Sequence, residues 1–312
     1  GGDWWIANQA MQRSLAFAGY EVEHAWGEGA HDAKHATAIF RDAMRWLWKG
    51  WPGPIRAGAG SEKLQEIVIP GEDWTLAAEG VDCDALVVDA QGHVYASDSA
   101  ASRVHRIKAE GGAEEVADAS GAVLEALRGG LTRHDGVRFS LLPHAEEASK
   151  VGGRIELAPP GGASAVVSDS GIADAGAFTL SPDQTLLYLV DKAGRWVFSY
   201  QVQPDLSLRH GQTYFHLHMP DDPRDARVGG LCVDRDGRLY AATSLGIQVC
   251  DQAGRVNVIL PTPVKGAAAL TFGGPDFDVL YAAIDGRVYQ RRVKPRGAFA
   301  FEAPHKPAAP RL

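Results

Sequence analysis

The feature that most constrains this chain is an internal repeat: an apolar strand, a tight Asp-Gly or Pro-Asp turn, and a second strand carrying an aromatic residue. It occurs as VVDAQGHVYASD (87–98), LTRHDGVRFSLL (131–142), TLSPDQTLLYLVD (179–191), CVDRDGRLYAAT (232–243) and TFGGPDFDVLYAAID (271–285). Tyr95, Phe139, Tyr188, Tyr240 and Tyr281 hold the same place in each, at separations of 44, 49, 52 and 41 residues. A β repeat of roughly 40–50 residues is the period of a propeller blade. Asp-Gly between alternating apolar strands signals a hairpin, because Gly accepts the positive φ that a twist-matched turn demands. Outer strands follow each hairpin, as SRVHRI, GRIELA, WVFSYQV, IQVCD and RVYQRRV. Four-stranded sheets repeated around an axis leave only short edges exposed, so a mainly-β antiparallel propeller is the economical architecture. Five units are plain. A sixth is expected from LQEIVIP (64–70) joined by the chain's end near Phe299 to Phe301, so the ring reads as six-bladed, with five blades as the alternative.

The first fifty residues have a different texture. WWIANQAMQRSLAFA (4–18) places Ile6, Met11, Leu15 and Ala18 on one side at helical spacing, ending at Gly19. YEVEHAW alternates as a strand through Tyr20, Val22, His24 and Trp26; a glycine-broken loop follows, and helical spacing returns through Ile39, Ala43, Trp46 and Leu47. Helix, strand, loop and helix read as the closing unit of an α/β sheet. WPGPIRAGAGSE (51–62) has the composition of a linker. The expected organisation is therefore an α/β fragment at 1–50, a linker at 51–62, a propeller at 63–302 and a tail at 303–312.

Charge and composition exclude several classes. Against 31 Lys and Arg stand 39 Asp and Glu, a net charge of −8 over 312 residues, so no basic surface supports a nucleic-acid or anionic-membrane partner. No apolar run reaches the roughly 18 residues that a membrane-spanning helix needs. The three cysteines, Cys83, Cys232 and Cys250, lack any CxxC spacing and read as buried apolar side chains, although Cys232 and Cys250 fall on candidate neighbouring strands and could pair. The opening GGDWW, without Met or a signal pattern, is expected of a fragment or a processed product. The compartment is left open; periplasm or secretion would follow from a signal peptide on a longer chain.

Residues 4–50 resemble the C-terminal end of esterases related to enterochelin and feruloyl esterases, which are α/β-hydrolases, through ANQAM, LAFAGYEVEHAWGEGAHDAKH and DAMRWLW. The resemblance implies that His31, in Gly29-Ala30-His31, matches the general base of a Ser-His-Asp triad, a role that needs an imidazole held between a carboxylate and a serine hydroxyl. No G-x-S-x-G elbow precedes His31, so both partners would have to come from an upstream esterase domain. Taken alone, the chain leaves His31 without a role, and His35 reads as a polar residue at a helix start.

Residues from about 72 onward resemble the senescence-marker-protein, gluconolactonase and regucalcin-like family of six-bladed propellers, particularly members appended to such an esterase. The resemblance is carried by LSPDQTLLYLVDKAGRWVFSYQVQPDLSL, YFHLHMPDD, VDRDGRLYAATSLGIQVCDQAGRVNVILP, FGGPDFDVLYA and FEAPHKPAAPRL. It is dense over the last 140 or so residues and poor between about 110 and 170. Where the family implies two hairpins between Tyr95 and Tyr188 the chain shows one, so a blade is expected to be shortened or lost.

The family's activity is hydrolysis of sugar lactones at a divalent cation in the central channel, held by a glutamate, two asparagines and an aspartate. Hard oxygen ligands suit such an ion, which polarises the lactone carbonyl and lowers the pKa of an attacking water. Carried over residue by residue, the glutamate falls on Asp84, one asparagine on Gly176 and the aspartate on Gly229; the other asparagine motif is replaced by ALRGGLTR, and a last-blade contact becomes Gly266 or Ala267. Glycine and alanine offer no side-chain oxygen, and one carboxylate does not make a cage for a hard cation. The expectation is a degenerate metal site with Asp84 as its vestige and no cofactor. The alternative is a register shift that turns Asp169, Asp174, Asp225 or Glu79 inward to rebuild a site for Ca, Zn, Mg or Mn.

Other constellations are weaker. His216 and His218 sit two apart on a strand and could bind a transition metal with Asp221 or Asp222, against the simpler reading of a solvated outer edge. Trp196 and Tyr200 read as blade packing, Lys192 and Arg195 as a solvated hairpin tip. The leading expectation for function is a non-catalytic accessory propeller that binds a sugar lactone or carbohydrate-type small molecule or acts as a scaffold. Its alternatives are an active lactonase with a rearranged site and an accessory domain to an esterase whose Ser and Asp lie upstream. Fold alone does not choose among them.

Overall fold

In a computed structural model of the chain, each of the five repeats folds into its own antiparallel sheet. The structure describes residues 4–17, 19–28, 32–53, 62–98, 102–117, 119–142, 154–163, 165–169, 172, 175–192, 194–220 and 227–310. The chain divides into two compact units, residues 1–66 and 67–312.

In the first unit, α1 (Trp4–Phe17) and α2 (Lys34–Leu47) form as the periodicity predicts, followed by the short α3 (Glu62–Gln65). The strand expected over 20–26 does not form; this segment has no ladder partner. Every described element of the unit is a helix, so no neighbouring strand is available to take its backbone groups. No residue of α1 or α2 is buried, and Trp4, Trp5, Trp48 and Trp51 are exposed.

The second unit opens with β1 (Thr75–Glu79). Blade 1 is β2 (Ala85–Val88), β3 (Val94–Asp98), β4 (Arg103–Ile107) and β5 (Ala113–Glu115). Helix α4 (Gly121–Leu127), capped by the Ser120 hydroxyl accepting from the Val123 amide at 3.3 Å, precedes blade 2. Blade 2 is β6 (Gly130–Thr132), β7 (Arg138–Leu142), β8 (Arg154–Ala158) and β9 (Ala165–Asp169). Blade 3 is β10 (Ala175–Leu180), β11 (Leu186–Asp191), β12 (Trp196–Val202) and β13 (Leu208–His216). Blade 4 is β14 (Val228–Asp234), β15 (Leu239–Thr243), β16 (Gly246–Cys250) and β17 (Val256–Leu260). Blade 5 takes β18 (Ala267–Gly273), β19 (Val279–Ile284) and β20 (Arg287–Arg292) from the chain's end and closes with β1, whose Thr75 and Glu79 pair with Gln290 and Arg287.

The six-bladed expectation is therefore corrected: the described residues form five blades. LQEIVIP contributes one isolated bridge, Val68 to Val293, because the strand that seals the ring is β1, some residues later. The link between blades 1 and 2 is too short for a four-stranded sheet and folds into α4, which packs on β2 and β6. This lies where one hairpin is missing from the family pattern.

Register repeats with the sequence. Val87 faces Tyr95, Leu131 faces Phe139, Thr179 faces Tyr188, Cys232 faces Tyr240 and Thr271 faces Tyr281. Phe139 and Tyr240 are wholly buried, and burial of such a ring contributes about 2–3 kcal/mol. Between blades 3 and 4 the core is built from Val190, Val197, Phe215, Leu217, Val233 and Leu239.

Aspartates staple the turns. Asp89 accepts from the Gln91 and His93 amides, each at 2.9 Å, from the His93 ring at 3.0 Å and from the Tyr95 hydroxyl at 3.1 Å. Asp251 does the same for Ala253, Arg255 and Asn257. Burial pushes both carboxyls up, but these hydrogen bonds outweigh it and hold them below the ordinary range. Gly92 meets a second demand beyond its positive φ of 86°: its carbonyl accepts from the Gly274 amide of blade 5 at 2.9 Å, an approach that a Cβ would block.

Cys83, Cys232 and Cys250 are free and buried. Cys232 lies on β14 and Cys250 on β16, with β15 paired between them. Two strand spacings, about 9.5 Å, exceed what a disulfide spans, so the pairing considered from sequence is corrected.

Candidate functional site: the central channel

The inner strands β2, β6, β10, β14 and β18 surround a cavity of about 390 Å³. One end of these strands, at the level of Asp84, Gly130, Gly176, Gly229 and Ala268, forms the rim. The other end leads into the hairpin turns, and there the C-terminal segment crosses the axis.

That segment is tied down by the turns of four blades. It first adds β21 (Gly297–Ala298) to the inner edge of β14, opposite Val233 and Asp234. The Gly297 amide donates to the Phe277 carbonyl, the Arg235 amide to the Arg296 carbonyl and the His134 amide to the Ala300 carbonyl, each at 2.8 Å. The Gln184 side-chain amide donates to the carbonyls of Ala300 and Glu302, and the Arg235 guanidinium pairs with the Glu302 carboxylate at 2.6 Å. Phe299 and Phe301, stacked 5.0 Å apart at 3°, thereby line the cavity from the hairpin side. The channel is a blind pocket with an aromatic floor.

Chemically the pocket is poor in donors. Among its described lining residues Asp84 supplies the carboxylate, Thr132, Thr179 and Thr271 supply hydroxyls, and the rest are apolar side chains, a thiol or glycine. The thiol of Cys232 is pushed well up by burial and by the Asp234 charge; that of Cys83, beside Asp84, is pushed up to about 12 by burial. Neither supplies a thiolate nucleophile at neutral pH.

The structure places each candidate residue. Asp84 is at the rim. Gly229 is held by sterics: a Cβ there would overlap the carbonyl of Ala268, because β14 runs backbone against backbone beside β18. A Cβ on neighbouring Gly230 would sit 2.6 Å from the Leu270 amide nitrogen. Gly176 differs, since its Cβ would meet the flexible aliphatic stem of Lys192. Gly266, with φ 90°, opens on free space. Of the register-shift candidates, Glu79 ends β1, the outermost strand of blade 5, and Asp169 ends β9, the outermost strand of blade 2, so neither is on the inner ring. Asp174 and Asp225 lie outside the described residues, as does His31.

The described residues contain no group of three or more His, Cys, Asp or Glu able to hold a metal ion. His216 and His218 are exposed at the outer edge of blade 3, with the His216 ring 4.7 Å from Trp196; Asp221 and Asp222 lie outside the described residues. Tyr200 is buried in its blade while Trp196 is partly exposed. At the positions that the resemblance aligns with the family's aspartate and asparagine, Gly229 lies against the Ala268 carbonyl of β18 and Gly176 against the Lys192 side chain, so neither of these two described residues offers a side-chain oxygen to the divalent cation that the resemblance implies. Sequence reasoning missed the aromatic floor, since FAF at 299–301 looked like strand material, and it missed the placement of Lys192 above Gly176.

Comparison with known proteins bears on the fold. A structure assigned as a gluconolactonase superposes with TM-score 0.56 at 16% identity, over 76% of this chain and 97% of its own. A luciferin-regenerating enzyme gives 0.58 at 15%, over 74% and 99%. A calcium-binding protein, regucalcin, from Agrobacterium tumefaciens gives 0.56 at 15%, over 71% and 93%. Comparison with curated proteins gives no match. Among the described residues no helix is long and apolar enough to cross a membrane. Residues 130–284, from blade 2 into blade 5, match the family described as SMP-30/Gluconolactonase/LRE-like region, and the fold of the chain is similar to that of the gluconolactonase and regucalcin propellers.

Proposed function

We propose that the propeller is a small-molecule binding module of sugar-lactone hydrolase lineage, which takes a lactone in its channel and does not hydrolyse it through a cation. The observation that carries this reading is Gly229, where the backbone of β18 fills the space that a ligating side chain would need. The single carboxylate among the described lining residues, Asp84, agrees with it. Residues 1–50 are the C-terminal end of an esterase for which the propeller is an accessory, with His31 its general base and the Ser and Asp upstream. The exposed tryptophans of α1 and the segment after α2 support this, as an apolar surface that a neighbouring fold would cover.

The test is hydrolysis of D-glucono-δ-lactone by the purified chain with calcium, zinc, magnesium or manganese. The expected rate equals the buffer background with every metal and is unchanged by Asp84→Ala. A metal-dependent rate that Asp84→Ala abolishes overturns the proposal and assigns the chain to active lactonases.

A further inference from the structure

We infer that the channel selects a flat, largely apolar lactone that stacks on the Phe299–Phe301 floor, and rejects polyhydroxylated sugars; this rests on the channel being the ligand site proposed above. The first observation is the floor itself. Two phenyl rings lie parallel at 3° and are fixed there by backbone hydrogen bonds of the same segment to the turns of blades 2, 3, 4 and 5. A rigid, preorganised aromatic surface favours a planar partner in offset stacking.

The second observation is what the walls lack. A sugar lactone buries several hydroxyls, and each left unpaired costs about 1–3 kcal/mol. Against these the described lining offers Asp84 and three threonines, and the Thr271 hydroxyl already donates to the Phe272 carbonyl at 3.2 Å. Leu86, Phe178, Leu231 and Leu270 supply apolar surface instead. The third is size. About 390 Å³ is within the roughly 300–1,000 Å³ of small-molecule sites and admits a fused bicyclic ring. A planar lactone presents two apolar faces to the floor and walls and one carbonyl edge, which backbone amides along the inner strands can satisfy.

The Phe residues also determine specificity from the wrong end of the chain. They follow the last blade strand, yet they form part of the site because β21 turns the segment back onto β14. The strap is thus a specificity element as well as a fastening.

The experiment titrates the full chain with 7-hydroxycoumarin, a flat aromatic lactone, following its fluorescence, and then adds D-glucono-δ-lactone as competitor. Saturable binding is expected, with glucono-δ-lactone at 100-fold excess leaving it in place. Phe301→Ala should weaken coumarin binding about 10-fold, as loss of a stacking partner implies. Because that variant alters the strap, its thermal unfolding is measured alongside. A second variant, Ala268→Trp, fills the exposed rim and should abolish binding while the core stays intact. Displacement of coumarin by equimolar glucono-δ-lactone, or sugar-lactone binding with no coumarin binding, overturns the stacking site but leaves the proposed binding function standing. Metal-dependent hydrolysis of D-glucono-δ-lactone overturns both, because a sugar lactone would then occupy the channel. Folded protein that binds neither lactone overturns both.

Discussion

Gly229→Asp, which would place a carboxylate where the family resemblance implies one, is expected to lower the stability of the propeller by about 3 kcal/mol and to create no cation site. The reason is local. The Cβ would overlap the Ala268 carbonyl, and that oxygen belongs to the backbone of β18, which pairs with β19 at Ala267 and again from Ala269 to Gly273, with Ala268 at the register shift between them. Relief requires blades 4 and 5 to move apart, at the cost of the packing between them. Gly176→Asn is the comparison variant, because its Cβ would meet the Lys192 side chain from Cγ outward and no backbone atom, so a change of the Lys192 rotamer relieves it and it should cost less than Gly229→Asp. Urea unfolding of the two variants separates them. Wild-type stability in Gly229→Asp would mean that β14 and β18 are not in backbone contact.

The second large effect is expected at Asp234. Its carboxylate is fully buried and accepts from the Arg238 amide at 2.9 Å, the Arg238 guanidinium at 3.0 Å and the wholly buried Tyr240 hydroxyl at 2.9 Å. Burial pushes the Asp234 carboxyl above its ordinary value despite these partners, and burial with the Asp234 charge pushes Tyr240 well up. Asp234→Ala strands the tyrosine hydroxyl and weakens the hold on Arg238, for a loss of about 3 kcal/mol. In a propeller of this size the midpoint of thermal unfolding should fall by about 10 °C. Asp234→Asn, which keeps one acceptor, should lose less. The backbone of Asp234 also pairs with Gly297, so the alanine variant should loosen the aromatic floor and raise protease sensitivity after Arg296. A midpoint within 1 °C of wild type would remove the turn staple from the account.

Much of this was legible because it is local. The Asp-Gly turns, the aromatic one strand later and the outer strands recur within a dozen or so residues each, and all five hairpins form with their aromatics in equivalent register. Asp89 and Asp234 also sit where the turn pattern puts them. What was not legible depends on contacts between distant segments. Glycine at 229 was visible as a missing ligand, but its cause lies in Ala268 on the next blade. The closing strand was sought at 64–70 and lies at Thr75–Glu79, because apolar content marked Ile67 and Val68 while the sheet needed an edge that could reach β20. Tyr20 to Trp26 alternates as a strand does, yet alternation supplies no partner. Phe299 and Phe301 are apolar like any blade residue; only the polar ties of Gln184 and Arg235 to the same segment turn them toward the axis.

The central claim is that the ring of inner strands receives a ligand without gripping a cation. Its most direct test is an anomalous difference map from crystals of the chain grown in millimolar manganese. The account predicts no peak on the propeller axis. A peak ligated by Asp84 together with two or more other protein oxygens of the inner strands would contradict it.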